Sequence, residues 1–503
     1  MMMTCETEVL KQENAAWLTD LQSFVQQSAR AGTAIHEVEL GLWRQLLALG
    51  LQLLGQFVAL QGTGDVGETV AAPAGPAWQR LPQLHGRGYT SIFGKLTLQR
   101  TVYGSREGQK IEFVPLDNRL QLPESNFSYV LQDWDQGLCV EQAFGQASST
   151  LVKILGLKQS VDSLERMNAQ MARPVAAFRE ERPRPAPQEE GPIVVSSADG
   201  KGVVMRREPT DTAAKAHRTK GDKASRKEMA IVGAVYTVDR FVRRPEQIVA
   251  ALFGDDFPEP PGPRPAPRGK QTVANLTHTD AAGSMTGLEE TYTWMFEELW
   301  RRNRGFGKEM VHLCDGQESL WNARQEHLPQ GNTTDILDLL HVTPRLWQAA
   351  HVFHKEKSAE AEQFVRQRLL RVLQGQAAGV IRGLREMGSK RALKGAKKKA
   401  LARVCNYLEN NRARMHYDEY LAKGYPIASG VIEGACRHLV KDRMERAGMH
   451  WCRQGAQAML DVRSVHVNGD WEAYQSYRTE RETARLYPHR DLVAGEAYFS
   501  LAA

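Results

Sequence analysis

Ile193-Val194-Val195-Ser196-Ser197-Ala198-Asp199-Gly200-Lys201-Gly202 is the stretch on which the fold turns. Three β-branched residues followed by small ones suit a buried strand, and Asp199-Gly200 marks where a carboxylate leaves the core for solvent or a ligand. Downstream, Met229 to Val238 reads as a second, longer strand and Thr272 to Leu276 as a third. Thr286-x-x-Glu289 is a capping box opening a helix whose Leu288, Tyr292, Met295 and Leu299 share one face. Met310 to Cys314 gives a fourth strand, ending on Asp315-Gly316, and Asp335 to Val342 a fifth. Thr343-Pro344 then opens another helix, with Pro in the first turn, where no N–H is needed. The expectation is an α/β core with a mixed sheet.

Upstream, the charged, proline-rich run Glu181 to Gln188 cannot pack as helix or sheet and marks a domain boundary. Before it, Ile35, Val38, Leu42, Leu46, Leu49, Leu53 and Phe57 step by three and four, the stripe of a helix that packs or dimerises. Beyond a Gly/Pro/Ala-rich linker near Thr69 to Pro76, Lys95 to Tyr103 and Lys110 to Val114 are expected to pair as a hairpin. Cys139 to about Leu155 reads as a helix stopped by Gly156, and Asp162 with Glu165 caps another through Met171. Helix, turn, helix outlines a DNA-reading unit, and it equally describes an ordinary αα-hairpin, the commoner of the two.

Downstream of the fifth strand a basic, helical stretch from about Ser358 to Lys423 interrupts the core, and a helix beginning near Ser429 carries Glu433. Asp255 to Gly269 reads as a surface loop. The expected organisation is therefore 1–180 as a mainly helical, DNA-binding N-terminal region with a hairpin and 181–192 as linker. A catalytic core at 193–357 follows, then an insertion at 358–424, the helix bearing the Glu at 425–455 and a tail at 456–503.

Composition narrows the class. The chain has 503 residues, 42% of them apolar, enough for two or three cores. The longest apolar stretch, Leu46 to Leu60, is broken by Gln52 and Gln56, and Glu6 and Glu8 stand where a signal peptide would carry cations. Cys5, Cys139, Cys314, Cys405, Cys436 and Cys452 show no C-x-x-C spacing, which points to a reducing cytoplasm rather than a disulfide framework or structural zinc. Net charge is +6, but Ile381 to Arg446 alone holds sixteen Lys and Arg against seven Asp and Glu. Such a patch suits a phosphate backbone, and equally a solvated helix face.

Asp199 and Asp315 at the ends of two strands, with Glu433 in Ser429-Gly430-Val431-Ile432-Glu433-Gly434, make an ordered set of three carboxylates. Clustered carboxylates repel unless cations lie between them, and hard oxygen donors in an open site suit two Mg²⁺ or Mn²⁺ ions. Two such ions roughly 3.5–4 Å apart serve in-line phosphoryl displacement, the chemistry of strand cleavage and transfer. Arg437 and Lys441 lie four and eight residues past Glu433, on its helix face, where they could hold phosphates or form surface ion pairs. Arg443 and the lysine run Lys397, Lys398 and Lys399 extend the DNA-binding set. Lys201, Arg206, Arg207, Lys215, Arg218, Lys220, Lys223, Arg226 and Lys227 crowd the segment after the first strand, a loop expected to order on DNA. Trp321, Trp347 and Trp451 could stack on a frayed base, although tryptophan at helical spacing is more often core.

Ser197-Ala198-Asp199-Gly200-Lys201-Gly202-Val203, Cys314-Asp315-Gly316 and Ile427-Ala428-Ser429-Gly430-Val431-Ile432-Glu433-Gly434-Ala435-Cys436-Arg437 resemble the three blocks of bacterial insertion-sequence transposases of the DDE type, most closely the ISKra group. The last block continues through Lys441-Asp442-Arg443-Met444 to Gly448-Met449-His450-Trp451, and Arg100-Thr101-Val102-Tyr103 with Pro115-Leu116-Asp117 resembles the family's N-terminal region. Asp338-Leu339-Leu340-His341 resembles the D-x-x-H element of many DDE transposases, which implies His341 against the scissile phosphate or a bound water; the alternative is a buried, hydrogen-bonded histidine. The strand and helix order is that of ribonuclease-H-like domains. The resemblance implies a ribonuclease-H-like catalytic domain holding two Mg²⁺ or Mn²⁺ ions on Asp199, Asp315 and Glu433. It implies double-stranded DNA as partner, both terminal inverted repeats and target, and a homodimer or larger assembly on DNA, nucleoid-associated in the cytoplasm. A ribonuclease-H-like nuclease or resolvase without strand transfer, and a catalytically silent DNA-binding regulator, are the alternatives.

Overall fold

Ile193-Val194-Val195 forms the middle of a sheet, with all three side chains buried. The computed structural model describes residues 2–73, 76–105, 111–206, 226–258, 262–278, 286–446 and 448–493, with side chains described from residue 16 onward and not at residue 226. The chain divides into two compact units, 1–171 with 472–503, and 172–471. The division falls ahead of the proline-rich run, because the short helix Val175–Glu181 belongs to the second unit.

In the first unit, α1 (Met2–Ala31) and α2 (Ile35–Ala59) precede short strands β1 (Thr69–Val70) and β2 (Trp78–Arg80), then β3 (His85–Ser91), β4 (Gly94–Arg100) and β5 (Tyr103–Gly104). The apolar stripe does lie on one helix, α2, in which no residue is fully buried. The hairpin differs from expectation. Lys95 to Arg100 pairs with the upstream strand β3, from His85↔Arg100 to Ser91↔Gly94, while Tyr103 meets Phe113 in an isolated bridge. After α3 (Pro115–Leu120), the helix expected over 139–155 is two, α4 (Tyr129–Glu141) and α5 (Phe144–Leu155), the second ending at the left-handed Gly156. Ser160 rather than Asp162 caps α6 (Val161–Ala172), its hydroxyl accepting from Ser163 N at 3.1 Å.

The second unit begins with α7 (Val175–Glu181) and holds a five-stranded sheet of β6 (Ile193–Met205), β7 (Arg226–Val238), β8 (Arg268–Leu276), β9 (Glu309–Cys314) and β10 (Thr333–Leu337), in the order β10-β9-β6-β7-β8. β6, β7 and β8 run antiparallel, whereas β6, β9 and β10 run parallel. A parallel neighbour requires a crossover, so both faces must be covered, and the alternation of side chains divides the core accordingly. Ile193, Val195, Val311, Leu313 and Ile336 pack beneath helices later in the chain, while Val194, Ala198, Ile231, Met310 and Cys314 pack against α9 (Thr286–Arg302) and α10 (Glu318–His327). α8 (Pro245–Phe253) lies between β7 and β8 in sequence.

Two strand ends depart from the sequence reading. β6 does not stop at Asp199 but runs to Met205, paired with β7 throughout. What stops there is the parallel pairing to β9, whose last pair is Ala198↔Cys314. β10 stops at Leu337 and α11 (Leu339–Phe353) begins just after Asp338, so Leu339 to Val342 is helical. An unbroken apolar run does not distinguish a buried strand from a buried helix, and the Asp338 carboxylate, accepting from Leu340 N at 2.8 Å, decides for the helix. Pro344 consequently lies inside α11 rather than opening a helix. Thr286 does not cap from outside either; it is the first residue of α9 and its hydroxyl meets His278 Nδ1 at 2.7 Å.

The interruption is helical as expected, comprising α12 (Ala359–Leu373), α13 (Ala377–Lys390), α14 (Gly395–Asn410) and α15 (Tyr417–Ala422). α16 (Gly430–Ala435) continues through a π-turn at Cys436–Lys441 into α17 (Asp442–Met444). The expected tail is largely helical, α18 (Arg453–Asn468) closing the second unit and α19 (Trp471–Leu486) joining the first. Among the described residues no helix is long and apolar enough to cross a membrane.

Candidate functional site

Because Asp199 has the parity of Ile193 and Val195, its side chain projects on the face of the sheet that carries the helical interruption. One residue past the last β6–β9 pair, it has no strand beside it on that edge. Its Oδ1 accepts from Gly200 N at 2.7 Å and its Oδ2 from the Cys436 thiol at 3.5 Å. Burial, and after it the nearby Asp315 charge, holds the Asp199 carboxyl above the usual carboxylate range, while His341 pulls it back. A buried acid beside a second acid is poorly satisfied as an anion, and a cation would relieve both.

Asp315 follows β9 directly. Its Oδ1 accepts from Gln317 N at 2.8 Å and its carbonyl from Trp321 Nε1 at 2.7 Å, which fixes the turn into α10. Gly316 is required here because a Cβ would come 2.4 Å from the ring of Tyr407 on α14. Tyr407 thus closes on the Asp315 turn. Burial first, and Asp315 second, push its phenol up to about 12, and Arg345 of α11 stacks over its ring at 4.6 Å.

Glu433 is placed by hydrogen bonds that tie its helix to two strands. The Ser429 hydroxyl caps α16, accepting from Ile432 N at 3.3 Å, and lies 3.1 Å from the Ser197 hydroxyl of β6. Ser429 N donates to Asp338 Oδ2 at 3.3 Å. Asp338, buried at the end of β10, is held up to about 6 by burial, with Glu433 pushing in the same direction and the two backbone donors opposing. His341, in the first turn of α11, reaches Glu433 with Nε2 3.5 Å from Oε1.

Asp199, Asp315, His341 and Glu433 are therefore drawn to one place, with Asp338, Arg345, Tyr407 and Cys436 around them. Among the described residues no three acidic, imidazole or thiol side chains converge closely enough to hold a metal ion as they stand. The donor set nonetheless suits a hard divalent cation in kind, being carboxylates with one of them desolvated beside another.

The basic residues separate into three groups. Lys397, Lys398 and Lys399 are exposed at the start of α14, the positive end of that helix. Arg437 and Lys441 are exposed on the π-turn, with Arg437 Nε 3.8 Å from Asp442 Oδ1. Lys201 and Lys227 lie on β6 and β7, where they flank Glu445 at 3.9 and 3.1 Å, and Arg206 Nε donates to His450 O at 3.1 Å. Arg443 is a correction. It is wholly buried, its guanidinium 5.0 Å from the Trp451 ring centroid and Nη1 3.4 Å from Met449 Sδ, so it faces core rather than DNA. Trp321 and Trp451 are buried as well, the core alternative for both, and Trp347 packs at the edge of the core. Arg207, Lys215, Arg218, Lys220 and Lys223 lie outside the described residues, as does the Arg226 side chain.

Sequence reasoning missed Tyr407, Arg345 and Cys436. Arg345 is one helical turn beyond His341 and was open to discovery from that spacing; Tyr407 comes from a remote helix and carries no local signal.

No family model matches the chain, and no curated protein matches it. Among solved structures, the Drosophila P element transposase strand transfer complex matches with 11% identity over 76% of this chain and 85% of that chain, at a TM-score of 0.22. A likeness that faint carries no weight for fold or for function.

Proposed function

We propose that this chain is a metal-dependent DNA transposase of the DDE type, related to the ISKra insertion-sequence group and built on a ribonuclease-H-like core. The observation that carries the reading is the meeting of Asp199 and Asp315 just past the last β6–β9 pair, with the Glu433 helix tied to the same place through Ser197, Ser429 and Asp338. The three-stranded meander flanked by two parallel strands is the sheet order expected of a ribonuclease-H-like core.

Asp199, Asp315 and Glu433 would hold two Mg²⁺ or Mn²⁺ ions. When bound, such ions supply charge neutralisation for the attacking and leaving oxygens of phosphoryl displacement. The chain's own part is positional. Ser429 and Asp338 orient α16, and His341 lies against the Glu433 carboxylate. The exposed lysines at the start of α14 work against their own helix dipole, a conflict relieved when they face phosphates. Double-stranded DNA is the substrate class, with the terminal inverted repeats of its own element as one partner and target DNA as the other. Synapsis of two ends calls for a dimer or larger assembly on DNA.

The test uses the full chain, Mg²⁺ and duplexes carrying the ends that flank the reading frame. Asp199→Asn is expected to reduce end cleavage by at least about 10²–10³-fold, with duplex binding retained. Undiminished cleavage would overturn the assignment, and cleavage without joining of a pre-cut end would make the enzyme a hydrolytic nuclease.

A further inference from the structure

On the second unit, a cavity of about 330 Å³ opens between the end of β7, the loop 262–267 and the segment 424–431. Its wall depends on a close approach of two chain segments. Gly424, at φ +75°, lets Phe241 N donate to its carbonyl at 3.0 Å, where a Cβ would come 2.7 Å from that same nitrogen.

Two guanidinium groups line this cavity, and its one lining carboxylate, Asp239, is engaged by Arg268. Arg243 is anchored by donation from Nε to Phe241 O at 3.0 Å and from Nη2 to Tyr425 O. Burial, and then the charge of Arg264, brings its pKa down to about 10, so the pair repel across the space between them. Arg264 is exposed and makes no hydrogen bond or ion pair among the described residues. Tyr236 lines the same cavity at 3% exposure, and its hydroxyl has no hydrogen-bond partner among the described residues. Burial pushes that phenol up, so it remains a proton donor across the physiological range; Arg264 pulls it the other way, and the charge of Asp338 acts with burial. A nine-tenths-buried donor without an acceptor, beside two guanidinium groups that no carboxylate pairs, is a set of donors lacking its anion. Pro265, Pro267 and Val431 give the rest of the wall an apolar character. The volume sits at the low end of small-ligand pockets, roughly 300–1,000 Å³.

We propose that this cavity binds a phosphate group, held by Arg243, Arg264 and the Tyr236 hydroxyl. Guanidinium is the side chain best matched to phosphate oxygens, and a phenol adds a third donor. The phosphate belongs either to a free nucleotide or to a nucleic-acid backbone, and both sources present the same oxygens. Ala428, Gly430 and Val431, which line the cavity, flank the Ser429 cap of α16, so occupation bears directly on the helix that carries Glu433. The inference does not depend on the catalytic reading.

The test takes the full chain, Arg264→Glu and Tyr236→Phe, with AMP in one arm and a random-sequence duplex over a salt series in the other. Thermal melts serve as control, and Arg264→Glu should melt like the parent because Arg264 holds nothing in place. For a free nucleotide, AMP affinity is expected to fall about tenfold or more in Arg264→Glu and several-fold in Tyr236→Phe. For a backbone phosphate, Arg264→Glu lowers the slope of log affinity against log salt by about 0.9. If neither arm responds, the proposal is overturned. Both arms are read as binding without Mg²⁺, so their outcome is independent of whether the chain cleaves DNA, which separates this test from a failure of the catalytic reading.

Discussion

The hydroxyls of Ser197 and Ser429, 232 residues apart in sequence, lie 3.1 Å from one another in the buried interior, each on a different arm of the candidate site. Ser197 sits two residues before Asp199 and Ser429 four before Glu433, so this contact sets the spacing between two of the three acids. Ser429→Ala removes the cap and the contact together. The expected cost is about 1–2 kcal/mol of stability, read by thermal or urea melts, with a larger proportional loss of cleavage than of DNA binding. Equal losses of both would show that the contact serves the fold alone.

Gly316→Ala drives a methyl into the Tyr407 ring and the Asn411 amide, 2.4 and 2.8 Å from where its Cβ would stand. Overpacking of this kind costs about 1–3 kcal/mol. The strain is relieved when the ring is cut back, so the double variant with Tyr407→Ala should cost less than the sum of the two single changes. Strict additivity in such a cycle would rule out the contact.

Arg437 and Arg443 are separated by less than two helical turns and should behave in opposite ways. Arg443→Ala leaves a hole beside Trp451 and is expected to lower stability by on the order of 2 kcal/mol. Arg437→Ala, at an exposed position, should leave the melting temperature unmoved and weaken binding to duplex DNA. Anisotropy and melts on both variants decide the matter, and a stability loss confined to Arg437→Ala would reverse the assignment.

In the first unit, Asp135 of α4 is fully buried, with Gln159 Nε2 2.7 Å from both its oxygens, and burial holds its carboxyl up to about 7. The Gln159 donor opposes this shift without overcoming it. The folded unit therefore keeps a proton that the unfolded chain releases near pH 4, roughly. Its contribution is complete below about pH 4 and is lost as pH rises through about 7, by at most on the order of 4 kcal/mol. Asp135→Asn should melt at or above the parent near neutral pH, with the difference shrinking toward about pH 4. A difference independent of pH would contradict the raised pKa.

Much of the second unit was legible from single segments. Ile193 to Val195, Met310 to Cys314 and the stripe of α9 each declare themselves through local pattern, and Asp-Gly at 199 and 315 marks the acids. What local pattern could not show is how far a strand runs once a neighbour pairs with it. Gly200 and Gly202 resemble an exit from the sheet, yet β7 pairs across both and carries the strand on to Met205. The run from Asp335 to Val342 is apolar in either conformation, and only the Asp338 cap separates strand from helix. Tyr407 and Arg443 were hidden for another reason. Each is defined by a partner far away in the chain or by the π-turn, which shifts every side chain past Cys436 off the face that an ideal helix would assign it.

The helical interruption between β10 and Ser429 has a temporal consequence. During synthesis the five strands emerge before Ser429 does, so sheet and helices can begin to pack while α16 is still inside the ribosome, but Glu433 has no fixed place until Ser429 finds Ser197 and Asp338. Closure of so long a loop is among the slow, late events of folding. A chain interrupted anywhere within 359–428 would therefore lack the third arm, and one cut early in that range would also leave bare the sheet face that carries Ile193, Val195 and Ile336. Such fragments are expected to be catalytically silent while retaining whatever surfaces the earlier segments offer, so the position of the insertion delays competence until nearly all of the second unit has been made.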